Sequence, residues 1–235
     1  MRTEIIAEIG QNHNGDMDLA KKLIHECKRA GADVAKFQLY DARSLFPKEG
    51  NEWFDYNCKT ELSRDQIRML AQECDRAGIE FMASVFDIER IAWLEDVGMK
   101  RYKIASRSIF ENDLIGAVAA TGKPMLVSLG KWGRSGLPDI KASGGVHYLY
   151  CIAKYPPELS EVHLKKADFD VYAGFSDHTI GTAAAIAAMA RGARVIEKHF
   201  TLDKSMYGPD HTGSATPQEL AQMCAFRDDA EKILA

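Results

Sequence analysis

Along the chain, short apolar runs alternate with longer stretches in which apolar residues return every three or four positions. The first pattern fits buried strands and the second fits amphipathic helices, so their order predicts βαβ units around a parallel sheet. Eight strands are predicted: Glu4 to Gly10, Asp33 to Tyr40, Glu80 to Phe86, Arg101 to Ser106, Pro124 to Gly130, Val146 to Ala153, Val171 to Asp177 and Val195 to Thr201. Helices are predicted between them at Asp18 to Ala30, Ser63 to Ala77, Ile88 to Val97 and Ile109 to Ala120. Weaker ones fall near Asp139 and Glu161, followed by Thr182 to Arg191 and Pro217 to Leu234. Gly31, Gly78, Gly98, Gly122 and Gly192 each stand between a helix and the next strand, where a left-handed C-cap turns the chain back. Eight such units in this length average about 29 residues each, which predicts an α/β fold: a (β/α)8 TIM barrel, one domain over residues 1–235. An open doubly wound sheet is the rival. Its glycine fingerprint is missing after the first strand, which runs into EIGQNHNGD.

The chain is 46% hydrophobic and 27% charged, enough to bury a full core. Thirty basic against 34 acidic residues, a net charge of −4, give no field suited to nucleic acid or an anionic membrane. Cys27, Cys58, Cys74, Cys151 and Cys224 are odd in number, scattered and free of any CxxC pair, which argues against a disulfide framework or a cysteine zinc site. A reducing, cytoplasmic compartment is expected. The first apolar run, Ile5-Ile6-Ala7, is broken by Glu8, so neither a signal-peptide core nor a membrane span is expected.

In such a barrel the C-terminal ends of the strands share one mouth, where functional groups collect. Those ends read Glu8, Lys36 with Gln38, Ser84, Lys103 with Ser106, Ser128, Tyr155, Ser176-Asp177-His178, and Glu197 with His199. A core needing only stability would place apolar side chains there. His178 and His199 end adjacent strands and are placed to bind one divalent metal, with Glu8 and Asp210 supporting the ion or its waters. Asp177 and Glu197 are expected to fix the histidine tautomers from behind. The bland alternative for each histidine is a hydrogen-bonded structural residue. Lys36 and Lys103, set within apolar runs, together with Ser84, Ser128 and Ser176 form a candidate anion pocket; solvated lysines are the alternative. Lys131 and Arg134 lie on an irregular loop. His25, His147 and His163 are read as structural, and Trp93 and Phe81 as core.

The segments AEIGQNHNGD (7–16), AKFQ (35–38), YKIAS (102–106), GFSDHT (174–179), EKHFTLD (197–203) and GPDH (208–211) resemble the sialic acid synthase family in order and over nearly the whole chain. The resemblance implies a cytoplasmic transferase of carbohydrate biosynthesis that condenses phosphoenolpyruvate with a sugar aldehyde, N-acetylmannosamine-like or a related amino sugar. The product is a nonulosonic 2-keto-3-deoxy acid, and phosphate is released. It further implies that His178 and His199 ligate a divalent metal, manganese first, with magnesium or cobalt as alternatives. Lys36, Lys103, Ser84, Ser128 and Ser176 would surround phosphoenolpyruvate; Glu8 and Asp210 would serve the water and acceptor; Gln38 and Tyr155 would face the sugar.

Three departures qualify the acceptor. Family members usually continue into an antifreeze-like domain that reaches across a dimer and gives an arginine to the acceptor's amide, whereas this sequence ends at Ala235. A homodimer, or a separate chain bringing that domain, is the corresponding expectation about partners. Ser108 stands where an acidic sugar contact is common, and Ala153 where a polar residue is common. These changes point to an acceptor other than N-acetylmannosamine, with Arg107 or Arg134 as replacement contacts. The alternatives are a 3-deoxy sugar acid synthase using a phosphorylated sugar, or a non-catalytic barrel that binds metal and phosphoenolpyruvate for a partner.

Overall fold

Eight parallel strands close into a ring in which each pairs with its sequence neighbours and the first pairs with the last. The computed structural model describes residues 2–234. The strands are β1 (Glu4–Gly10), β2 (Val34–Leu39), β3 (Glu80–Val85), β4 (Tyr102–Ile104), β5 (Met125–Ser128), β6 (Val146–Cys151), β7 (Gly174–Asp177) and β8 (Val195–His199). All lie within the predicted ranges. Helices α1 (Met17–Ala30), α2 (Ala42–Leu45), α3 (Phe54–Thr60), α4 (Arg64–Ala77), α5 (Ile91–Asp96), α6 (Asn112–Ala119), α7 (Ala183–Ala190) and α8 (Pro217–Leu234) follow in chain order.

Local chemistry sets the ends of these elements. Asp16 accepts from the Asp18 and Leu19 amides to start α1, and Ser63 with Gln66 forms a capping box on α4. Gly31 and Gly78 end the same two helices at φ 95° and 68°, a region closed to most side chains. β7 and β8 approach so closely at Gly174 that an added Cβ would lie 1.9 Å from the Val195 carbonyl oxygen.

The barrel interior is layered along its axis. At the floor Arg101 bridges Glu4 and Glu80, each at 2.8 Å. Above it Ile6, Val34, Met82, Leu126, Leu149 and Val195 form an apolar plug separate from the larger core between sheet and helices. Strand side chains alternate in direction, so two residues further along the same strands also face inward. Those positions hold Glu8, Lys36, Ser84, Ser128, Cys151 and Glu197. One step along the pleat converts a hydrophobic plug into a charged floor.

Several predicted elements are corrected. No helix forms near Asp139, where Pro138 and the glycines Gly136, Gly144 and Gly145 break any helical run. Near Glu161 there are only two single 3-10 turns, Leu159–Glu161 and Leu164–Lys166, separated by His163 in a left-handed conformation at φ 48°. Strand β7 begins at Gly174 rather than Val171, and Ser106 enters a 3-10 turn, Ser106–Ser108. The short helices α2 and α3 carry the long β2 to α4 connection and were not expected from the pattern. Among the described residues no helix is long and apolar enough to cross a membrane, and the five cysteines are free.

Candidate active site

The inward residues above the plug line a narrow chamber of about 50 Å³ at the C-terminal mouth. Glu8, Lys36, Gln38, Ser84, Lys103, Ser106, Ser128, Tyr155, Ser176, His178, Glu197 and His199 all border it. Asp210 does not; it stands on the rim, its Oδ2 4.0 Å from His199 Nδ1. Tyr155 is 60% exposed and leans over the mouth with its ring 4.1 Å from that of His178, centroid to centroid.

Two ammoniums and two carboxylates share the floor. Lys36 Nζ lies 2.5 Å from Glu8 Oε2, 3.3 Å from Glu197 Oε2 and 2.9 Å from Ser84 Oγ, to which it donates. Glu197 Oε1 accepts from Ser176 at 2.7 Å and lies 3.4 Å from Lys103 Nζ. Gln38 Nε2 donates to Glu8 Oε1 at 3.0 Å. Burial by itself would lower the Lys36 pKa, but the Glu197 and Glu8 carboxylates reverse this and hold it above its ordinary value. Lys103 is shifted down: burial dominates, Glu197 opposes it only in part, and Lys36 adds repulsion. For Glu197 burial is more than offset by Lys103 and Lys36, so it stays ionised well below the usual carboxylate range. Ser128 Oγ is buried without a hydrogen-bond partner, an unfilled donor aimed at the chamber.

The two histidines face one another with ring centroids 5.9 Å apart. His178 Nδ1 lies 2.9 Å from the Ile152 carbonyl oxygen, a geometry that takes the proton on Nδ1 and frees the Nε2 lone pair. Burial, reinforced by repulsion from His199, lowers its pKa to about 3, so the imidazole is neutral. These residues fit a divalent cation: one tautomer-fixed neutral imidazole, a second whose buried Nδ1 lacks a hydrogen bond, and carboxylates of Glu8 and Asp210 near by. Among the described residues no cluster of three or more His, Cys, Asp and Glu side chains is drawn together for an ion, so water or substrate would complete the sphere.

The expected role of Asp177 and Glu197 behind the histidines is corrected. Asp177 points to the opposite side of the sheet and pairs with Lys198, and Glu197 engages the two lysines; the Ile152 carbonyl fixes His178 instead. Strand alternation is the cause for Asp177, since a residue adjacent in sequence to an inward histidine faces outward; Glu197 faces inward with His199 but is held by Lys36, Lys103 and Ser176.

Past His199 the chamber opens into a wider cavity of about 370 Å³. Gln38, Ser106, Tyr155 and His199 border both spaces, while Phe46, Trp53, Asn51, Asn57, Gln11, Arg107 and Lys131 belong to the outer one. Arg107 packs over Phe46 at 5.2 Å from the ring centroid. Arg134 is not in the lining; its guanidinium is stacked on Phe110 and Trp132, each 5.1 Å away. Ser108 and Ala153 diverge likewise: Ser108 is fully buried, whereas Ala153 lines the cavity. Sequence reasoning missed Trp53, Asn51 and Asn57, which lie in the unexpected α2 to α3 segment, and Cys151 in the chamber wall. Gln11 and Asn14 carried a signal, standing in the polar QNHNGD run directly after β1. Asn14 Oδ1 accepts from Tyr56 at 2.6 Å and lies 3.0 Å from His211 Nε2, tying the loops after β1, β2 and β8.

Fold and site together define a closed (β/α)8 barrel with a charged, two-compartment pocket at its C-terminal mouth. The chain belongs to the NeuB family, which it matches over residues 23–235. It is 38% identical to an uncharacterized protein of Methanocaldococcus jannaschii, over 99% of this chain and 72% of that protein. It is 35% identical to the N,N'-diacetyllegionaminic acid synthase of Legionella pneumophila, over 98% of this chain and 72% of that enzyme. The crystal structure of N-acetylneuraminic acid (sialic acid) synthetase from Leptospira borgpetersenii superposes with a TM-score of 0.91 at 30% identity, covering 100% of this chain and 86% of that one.

Proposed function

We propose that the protein condenses phosphoenolpyruvate with an amino-sugar aldehyde to give a nonulosonic 2-keto-3-deoxy acid and inorganic phosphate. The observation that carries this reading is the junction of the two compartments at His199: below, a small chamber in which Lys36, Lys103 and the hydroxyls of Ser84, Ser128 and Ser176 stand among the Glu8 and Glu197 carboxylates, and above, a larger space lined by amides and aromatic rings. Ammoniums and hydroxyls in the first can pair with anionic groups reaching down from the junction, and the second has room for a sugar. The synthases among the relatives support the same chemistry.

In this reading Lys36 and Lys103 hold the phosphate and carboxylate of phosphoenolpyruvate, with hydroxyl donors from Ser84, Ser128 and Ser176. A divalent cation, manganese first, held by His178 and His199 would polarise the aldehyde. Gln38, Tyr155 and Asp210 orient the acceptor so that its carbonyl carbon lies against carbon three of phosphoenolpyruvate. As that bond forms, carbon two becomes electrophilic, and in this reading the Glu8 carboxylate takes a proton from the water that adds there. Breakdown of the resulting tetrahedral centre expels phosphate, whose charge Lys36 and Lys103 already face. The reaction fits a cytoplasmic setting, where free thiols such as the buried Cys151 stay reduced.

A second acceptor class, an anionic sugar such as a phosphorylated one, is favoured by Arg107 and Lys131. Both line the outer cavity, and among the described residues neither has an ion-pair partner within 4 Å.

The test is phosphate release from phosphoenolpyruvate with manganese across neutral amino-sugar and phosphosugar aldehydes. Turnover that His199→Ala abolishes is expected. Failure of the wild-type protein to bind phosphoenolpyruvate by calorimetry would overturn the reading.

A further inference from the structure

Asp177 and Lys198 are directly opposed in the register of β7 and β8, and both side chains are completely inaccessible to solvent. They lie on the outward face of the sheet, in the layer otherwise filled by Phe175, Ile196 and the residues under the helices. Lys198 Nζ donates to Asp177 Oδ2 at 2.9 Å and to the Thr179 carbonyl at 2.6 Å. Asp177 Oδ1 accepts from the Thr179 amide at 2.9 Å and from the Thr179 hydroxyl at 2.8 Å. One ammonium thus holds the residues on both sides of His178, Asp177 through its carboxylate and Thr179 through its backbone carbonyl, and Lys198 is itself the residue before His199.

A fully buried ion pair is a poor source of stability, because an apolar pair of similar volume commonly serves as well or better. Its bonds here tie Lys198, the neighbour of His199, to Asp177 and Thr179, the two neighbours of His178. We propose that Lys198, acting through Asp177 and Thr179, is the positioning residue that sets the separation and orientation of His178 and His199. Neither side chain enters the chamber; the pair works by locking the ends of β7 and β8 in one arrangement, from which both rings project inward at 5.9 Å. The metal-binding consequence rests on the function proposed above, whereas the positioning itself does not.

The test uses the full chain. Lys198→Met alone strands a buried carboxylate and risks misfolding, so the informative variant is Asp177→Asn with Lys198→Met, which closely keeps both volumes, leaves an acceptor for Thr179 and removes both charges. Two readouts are taken: manganese affinity by calorimetry, and the imidazole nitrogen resonances of the metal-free protein. A double variant with near wild-type melting temperature, manganese affinity weakened 10- to 100-fold and a His178 signal no longer confined to the Nδ1–H tautomer is the expected result. Unchanged imidazole signals in a folded double variant would overturn the proposal whatever the metal does. If wild-type protein binds no manganese but the imidazole signals still shift in the variant, the positioning role stands and the metal reading falls.

Discussion

His178 and His199 end neighbouring strands and meet across the mouth with ring centroids 5.9 Å apart, but only His178 has its proton placed by a backbone carbonyl. If both rings ligate one ion, either alanine variant should lose most of its manganese affinity. His178→Ala should additionally free the Ile152 carbonyl without unfolding the barrel. Calorimetric titration with manganese beside a melting curve checks this; binding retained in both variants would remove the histidine pair from the site.

Glu197 is the shared counter-ion of Lys36 and Lys103 and also accepts from Ser176. Glu197→Gln should leave two buried ammoniums with only Glu8 between them and destabilise the fold by about 3 kcal/mol, the scale of breaking a buried pair. Denaturant unfolding measures the loss. Added phosphoenolpyruvate should restore more stability to this variant than to the wild type, because the ligand replaces the missing negative charge.

Arg107 lines the outer cavity, and Arg134 is held away on Phe110 and Trp132. Arg107→Ala is therefore expected to raise the acceptor KM about tenfold, a loss of about 1.4 kcal/mol, with kcat little changed. Arg134→Ala should leave both constants alone. Steady-state kinetics on the acceptor found in the panel decide it, and the Arg107 effect should be larger for a phosphosugar than for a neutral amino sugar.

His13 and His178 are buried in neutral form, their pKa values lowered to about 4 and about 3 chiefly by burial. In the unfolded chain both titrate near 6.5, so between pH 6.5 and 4 the unfolded state binds more protons than the folded one. Stability of the metal-free protein should fall as pH drops through that window, each histidine contributing a slope of about 1.4 kcal/mol per unit. His13→Gln should flatten the slope. A stability profile level from pH 7 to 4.5 would contradict the assignment.

Much of this was legible in the sequence because two periodicities coincide. Parallel strands place their C-terminal ends at one mouth, and pleat alternation sends Glu8, Lys36, Lys103, Glu197 and the serines inward together. The same alternation defeated the expectation for Asp177: in sequence its charge looks no different from that of a chamber residue, and only its offset by one from Ser176 sends it outward. Cys151 escaped notice because a thiol in an apolar run reads as core. Asn51 and Asn57 lie in a connection with no period to follow, where Asn51 donates to Asn57 at 3.3 Å and Asn57 donates to Gln11, distant in sequence, at 3.4 Å. The missing helices at Asp139 and Glu161 yielded to prolines and glycines that a count of apolar residues does not weigh.

Ring closure between β1 and β8 carries one more consequence. Glu8 and Lys36 arrive early in the chain, Lys103 near its middle and Glu197 and His199 late, so no contiguous half of the polypeptide owns a complete set of charges. Lys36 can meet Glu8 across β1 and β2 alone, but Glu197, the counter-ion shared by Lys36 and Lys103, comes beside them only when β8 docks on β1. The full set of charges on the chamber floor is therefore a property of the closed ring, completed by its final seam and not owned by any single βα unit.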